Sequence, residues 1–101
     1  MLIHNRAAAY AAAAILALTL ATSGAQAYQC KTSFVQAEAL GNPRVKAAKS
    51  AKTFWAGEAK DKYGLAWSVW DIAASKSQNC NWTGNKFYCI VKAKPCLYVV
   101  P

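Results

Sequence analysis

The sequence predicts an α+β fold: one α-helix packed on a small three-stranded antiparallel β-meander and stapled by disulfides. Three observations carry that expectation. Strand-forming residues flank a central Gly84-Asn85 between Cys80 and Cys96, as in a hairpin. An Ala-rich segment from Arg44 to Tyr63 has helical spacing and lies between Asn42-Pro43 and Gly64. Four cysteines, an even number, occur in a short chain that opens with the pattern of an export signal.

Centring the hairpin on Gly84-Asn85 sets Thr83 against Lys86, Trp82 against Phe87, Asn81 against Tyr88 and Cys80 against Cys89. Pairs alternate between hydrogen-bonded and non-hydrogen-bonded, and Cys80/Cys89 falls on the second kind, with Cα atoms about 4.5 Å apart. That separation lies at the short end of what a disulfide spans. Alternation places Trp82, Phe87, Cys80, Cys89 and Val91 on one face, the expected core, together with Gln78. Asn79, Asn81, Tyr88, Ile90 and Lys92 take the other.

The helix expectation starts at Asn42, an N-cap residue, with Pro43 at the first helical position. At 100° per residue Val45, Ala48, Ala51, Trp55, Ala56, Ala59 and Tyr63 share a face, with Lys52 at its edge. Lys46, Lys49, Thr53 and Lys60 share an adjoining one. Glu58 and Lys62 stand at i,i+4, and Gly64 is the stop. The stretch Tyr28 to Gly41 is weakly patterned and reads as a short strand or an irregular helical turn. Leu65 to Ala74 fits a strand or a helix; its aromatic and β-branched residues favour a strand. Ser75 to Ser77 then becomes the turn into the hairpin.

Residues 1–27 read as a cleaved secretory signal peptide: Arg6 (with His4) in the n-region, an apolar run Ala7 to Leu20, and Ala25-Gln26-Ala27 before the cut. The apolar run is shorter than the roughly 20 residues of a membrane span, so no transmembrane span is expected after cleavage. Residues 28–101 are expected to form a single small secreted domain, periplasmic or extracellular. This domain loses the only histidine, and its eleven Lys and Arg against four acidic residues leave a formal charge of +7. So short a chain has a marginal core without staples. Three pairings of the cysteines are open. Cys80–Cys89 with Cys30–Cys96 is favoured, the second bridge tying the chain ends together. Sequence separations of 50, 9 and 7 do not resemble a zinc site.

The run Tyr63-Gly64, Trp67, Trp70, Ala73, Cys80, Cys89, Ala93 and Pro95-Cys96 resembles a group of small exported bacterial proteins. Their pattern is Tyr-Gly, an aromatic, Trp-x-x-Ala, Cys, Cys and Ala-x-Pro-Cys after an Ala-rich helix. The resemblance covers about the last two-thirds of the mature chain. It implies structural positions and no catalytic residue, and Cys30 lies outside it.

Catalysis has few candidates. Without a mature histidine the usual Ser/His/Asp and Cys/His arrangements are missing, and paired cysteines are neither nucleophiles nor metal ligands. Glu58 and Asp61 at i,i+3 are the nearest thing to an acid/base pair, and Lys60 and Lys62 make them a mixed-charge helix surface. The expectation is a protein that is not an enzyme and needs no cofactor or metal. The basic surface is the stronger signal. Lys46, Lys49, Lys60, Lys86, Lys92 and Lys94 are the anion-binding candidates, with Trp70 and Tyr88 as an exposed aromatic pair on the far sheet face. The partners expected are an anionic polymer or lipid headgroups, with a protein partner and nucleic acid also open. The function expected is an exported cationic binding domain acting on an anionic envelope or extracellular ligand. The alternatives are a membrane-active effector or antimicrobial, and a stoichiometric inhibitor of an envelope or host enzyme.

Overall fold

The computed structural model describes residues 27–100, so the expected leader lies outside the described residues apart from Ala27. The elements run β1 (Tyr28–Cys30), β2 (Val35–Gly41), α1 (Arg44–Tyr63), two single 3₁₀ turns (Leu65–Trp67 and Trp70–Ile72), β3 (Ala74–Trp82), β4 (Phe87–Lys94) and β5 (Cys96–Tyr98). One body comprises Gln29–Tyr98. Of the other described residues, Val99 donates its N–H to the Ala27 carbonyl.

One helix does pack on a three-stranded antiparallel sheet, but the sheet is not the expected meander. Its strand order is β2-β4-β3, so the third strand comes from before the helix and β4 lies in the middle. Val35 pairs with Ala93 and Gly41 with Phe87 along one side of β4; Cys80 pairs with Cys89 and Trp82 with Phe87 along the other. β2 earns this place by its period of two. Val35, Ala37 and Ala39 are buried, while Gln36, Glu38 and Leu40 between them are exposed. A separate two-stranded sheet joins β1 to β5, and Lys31 N–H donates to the Pro95 carbonyl beside it.

Leu65 to Ala74 is therefore not a strand. It makes two 3₁₀ turns, with the Trp67 N–H on the Gly64 carbonyl and the Ser68 hydroxyl on the Leu65 carbonyl. Both sides of β4 are already taken, so backbone pairing there is closed to this segment. Its large side chains pack on the helix instead: Trp67 against Tyr63 at 6.2 Å and Trp70 edge-on to Trp55 at 5.2 Å. The expected turn Ser75 to Ser77 lies inside β3. The register shifts between Ala74 and Ser77 there, and Ser75 has a left-handed φ of 55°.

The helix bounds agree with the expectation at Tyr63 and Gly64, where Gly64 at φ 105° donates its N–H to the Lys60 carbonyl at 2.8 Å. At the start, Pro43 and not Asn42 holds the N-cap position, following a cis peptide bond, and no side chain caps the helix. The buried side is Ala47, Ala48, Ala51, Trp55 and Ala59. Val45, expected in the core, is 71% exposed. Gly41 explains the shift: a Cβ there would stand 3.0 Å from Ala47 Cα and N. Its absence draws the Ala47 side of the first turn onto β2 and leaves Val45 outside.

Trp55 joins the layers. Fully buried, it donates its Nε1–H to the carbonyls of Val35 at 3.0 Å and Ala93 at 3.3 Å, residues that face each other across β2 and β4. Alanines around it on both layers let helix and sheet approach closely. The hairpin keeps its expected register, with Thr83 N–H on the Lys86 carbonyl at 2.8 Å and Gly84 at φ 107°. Trp82, however, is 55% exposed and rests edge-on against Phe87 at 4.9 Å. Arg44 covers Phe87 at the helix start, and the tip carrying Trp82 projects past that cover. The disulfides are Cys30–Cys96 and Cys80–Cys89, the favoured pairing, with Cα atoms 3.9 and 4.0 Å apart.

Candidate functional site

The surface that gathers the most functional side chains is the sheet face turned away from α1. Along β4, Cys89, Val91 and Ala93 point to the helix and are buried, so Tyr88, Ile90, Lys92 and Lys94 point out. The register adds one row at a time. Asn81 and Leu40 flank Tyr88, Asn79 and Glu38 flank Ile90, and Ser77 and Gln36 flank Lys92. Phe34, just ahead of β2, closes the Lys94 end of the face.

Two contacts give this face its electrical shape. The Lys92 and Lys94 ammoniums lie 4.6 and 5.0 Å from the Phe34 ring centroid, within cation–π range. At the other end the Tyr88 hydroxyl donates to Glu38 Oε2 at 2.5 Å. That hydrogen bond, with burial and the Glu38 charge behind it, pushes the Tyr88 phenol above its ordinary pKa. Glu38 is thereby engaged away from the lysines. The face has a cationic end at Phe34, Lys92 and Lys94, and an end at Tyr88 where the carboxylate is bound.

The remaining candidates lie elsewhere. Lys46 and Lys49 line a shallow depression on the solvent side of α1 with Ser50, Thr53 and Phe54, and Lys60 stands further along the same side in the last turn. Lys86 is at the exposed hairpin tip. The six lysines thus form no single patch. Trp70 and Tyr88 do not share a face either, because the segment holding Trp70 is not a strand. Trp70 is half-buried against the core. Lys52 and Lys76 flank its ring at 5.8 and 6.0 Å, and Lys76 Nζ is held by the Asp71 carbonyl at 2.9 Å. Lys31 lies over both Tyr63 and Trp67, at 4.7 and 4.4 Å.

Phe34, Lys31 and Lys52 were not among the sequence candidates, while Lys76 belonged to the expected basic surface around the sheet. For Phe34 a signal existed: Phe34 to Leu40 alternates in period with Tyr88 to Lys94. Glu58 and Asp61 are exposed, and Glu58 stands 3.9 Å from Lys62, the single ion pair among the described residues. All four cysteines are paired, and among the described residues no three His, Cys, Asp or Glu gather as a metal site. No helix of the described residues is long and apolar enough to cross a membrane. Compared with known proteins, the chain matches no family model, no curated protein and no solved structure.

Proposed function

We propose that this protein is an exported, non-catalytic binding domain that acts in the periplasm or outside the cell on an anionic envelope or extracellular polymer. The observation that carries the reading is how its cations are held. Twelve Lys and Arg face four carboxylates over the whole chain, and the described residues contain one ion pair, exposed and long at 3.9 Å. Lys31, Arg44, Lys52, Lys76, Lys92 and Lys94 lie against aromatic rings instead. A ring orders an ammonium without neutralising it, so the positive field persists for a partner. Two disulfides in so small a body fit an oxidising compartment, where such staples last.

The test is a titration of the protein, exported through its own leader and purified with both disulfides formed. The ligands are an acidic polysaccharide, lipopolysaccharide, anionic vesicles and duplex DNA, each at low and at physiological salt. Binding to one class that persists at physiological salt supports the reading. Weak binding to all four that vanishes with salt reduces the charge to a solubility device and overturns it.

A further inference from the structure

The cationic end of the outer sheet face is better built for a ligand than any other lysine cluster in the protein. A surface lysine ordinarily loses rotamer freedom when it grips an anion. Here Phe34 already holds two ammoniums, at 4.6 and 5.0 Å from one ring. Lys92 and Lys94 are two residues apart on one strand and so share a face about 6.6 Å apart along it. Among the described residues no carboxylate stands within ion-pair distance of them; Glu38, one row along the face, accepts from Tyr88 instead. Across the sheet from Lys92 stand Ser77 and Gln36, giving a fully polar row three strands wide, roughly 10 Å.

Resting on the reading proposed above, we infer that Phe34, Lys92, Lys94, Gln36 and Ser77 form a binding site for an acidic polysaccharide. One carboxylate or sulfate of the sugar chain lies between the two ammoniums, and its hydroxyls meet the amide and hydroxyl of the polar row. A sugar residue spans the distance between the rows. Two placed ammoniums can neutralise two phosphates, few beside the roughly six to ten contacts typical of a duplex binder. Beside these lysines the apolar surface is the Phe34 ring, 42% exposed and covered by the two ammoniums, with Ile90 half-buried. Leu40 stands at the opposite end of the face, so a bilayer meets no continuous apolar patch here. Charge-assisted bonds to ammoniums held in place retain strength at physiological salt, whereas a diffuse field does not.

The experiment measures binding of a polyuronate and of a sulfated polysaccharide by calorimetry at physiological salt, for the unaltered oxidised protein and three variants. The double variant Lys92→Ala, Lys94→Ala is expected to weaken binding about tenfold or more. The charge-matched double variant Lys46→Ala, Lys49→Ala removes the same two charges from the helix side and is expected to cost about twofold. Phe34→Leu keeps every charge and frees the ammoniums, with an expected loss of about threefold. Circular dichroism and non-reducing mass measurement confirm that each variant is folded and oxidised; all three alter exposed or half-buried side chains. Equal losses in the two double variants would overturn the site while leaving a cationic binder standing. Tighter binding of duplex DNA or anionic vesicles, with the same dependence on Lys92 and Lys94, would overturn the ligand class. No polysaccharide, vesicle or DNA binding by the unaltered protein would remove the broader reading itself.

Discussion

The helix and the sheet both turn lysines to solvent, and they hold them in different ways. Lys46, Lys49 and Lys60 follow one stripe of α1, and among the described residues none stands over a ring or against a carboxylate. Lys92 and Lys94 share one ring, contributed by Phe34 from another part of the chain. The difference is geometric. On a helix surface a side chain's neighbours are its own i±3 and i±4 residues. Here these are mostly small residues, hydroxyl-bearing residues or other lysines, and the one ring among them, Tyr63, is taken by Lys31. On a sheet the neighbours come from strands distant in sequence, about 4.8 Å away. Two sides of similar charge therefore differ in order: one is a diffuse positive stripe, the other a pair of placed ammoniums.

The comparison depends on the two layers staying together, so the largest predicted effect is at their joint. Trp55→Ala should cost about 4 kcal/mol in urea unfolding, through the lost indole and the cavity it leaves between the layers. A variant that stayed fully stable would show that the layers do not rely on this residue. Next comes the staple of the sheet side alone. Cys80→Ala with Cys89→Ala should cost about 3 kcal/mol in the same assay, as expected for the short loop that bridge closes. Its amide-exchange protection should fall first along β3 and β4 and last along α1.

Gly41→Ala sharpens the helix side. Its new Cβ meets backbone atoms of Ala47 at 3.0 Å, so the first turn must move, at a cost of about 1–3 kcal/mol. No loss in thermal melting would mean that the close approach is not what seats the helix. A spectroscopic prediction concerns the other end of the sheet face. Tyr88 carries a raised pKa, so its hydrogen-bonded, protonated form is favoured on folding. Its contribution is fully present below the ordinary phenol value of about 10 and is lost as pH climbs through the higher folded value. Absorbance titration should show Tyr88 ionising above the ordinary phenol range, and Glu38→Gln should bring it back towards that range. The smallest effect is Glu58→Gln on the helix side, a few tenths of a kcal/mol by chemical unfolding, because both partners of its ion pair are exposed.

Much of the fold was legible locally. The hairpin register around Gly84-Asn85 follows from turn chemistry and alternation. The end of the helix at Tyr63 follows from a glycine that can take positive φ. Side-chain placement was less legible. Val45 and Trp82 satisfy the core period of their own elements yet lie outside, one because Gly41 draws in the opposite side of the turn, the other because the helix stops short of the hairpin tip. The candidate site was half visible: Lys92, Lys94 and Tyr88 follow from strand alternation, while Phe34 depends on a pairing between segments over fifty residues apart.

By itself, then, the sequence determined the helix, the hairpin and its register, and the cysteine partners that the register and the chain ends favour. Each rests on near neighbours or on a covalent requirement that few arrangements meet. Only the tertiary structure decided which segment fills the third strand. Backbone hydrogen bonding accepts either Val35–Gly41 or Leu65–Ala74 beside β4, and local propensity favours the aromatic one. What selects the first is its inner face of Val35, Ala37 and Ala39, small enough for an alanine-rich helix to close over. The tryptophans of the second gain more against Trp55 and Tyr63 than a strand position would offer.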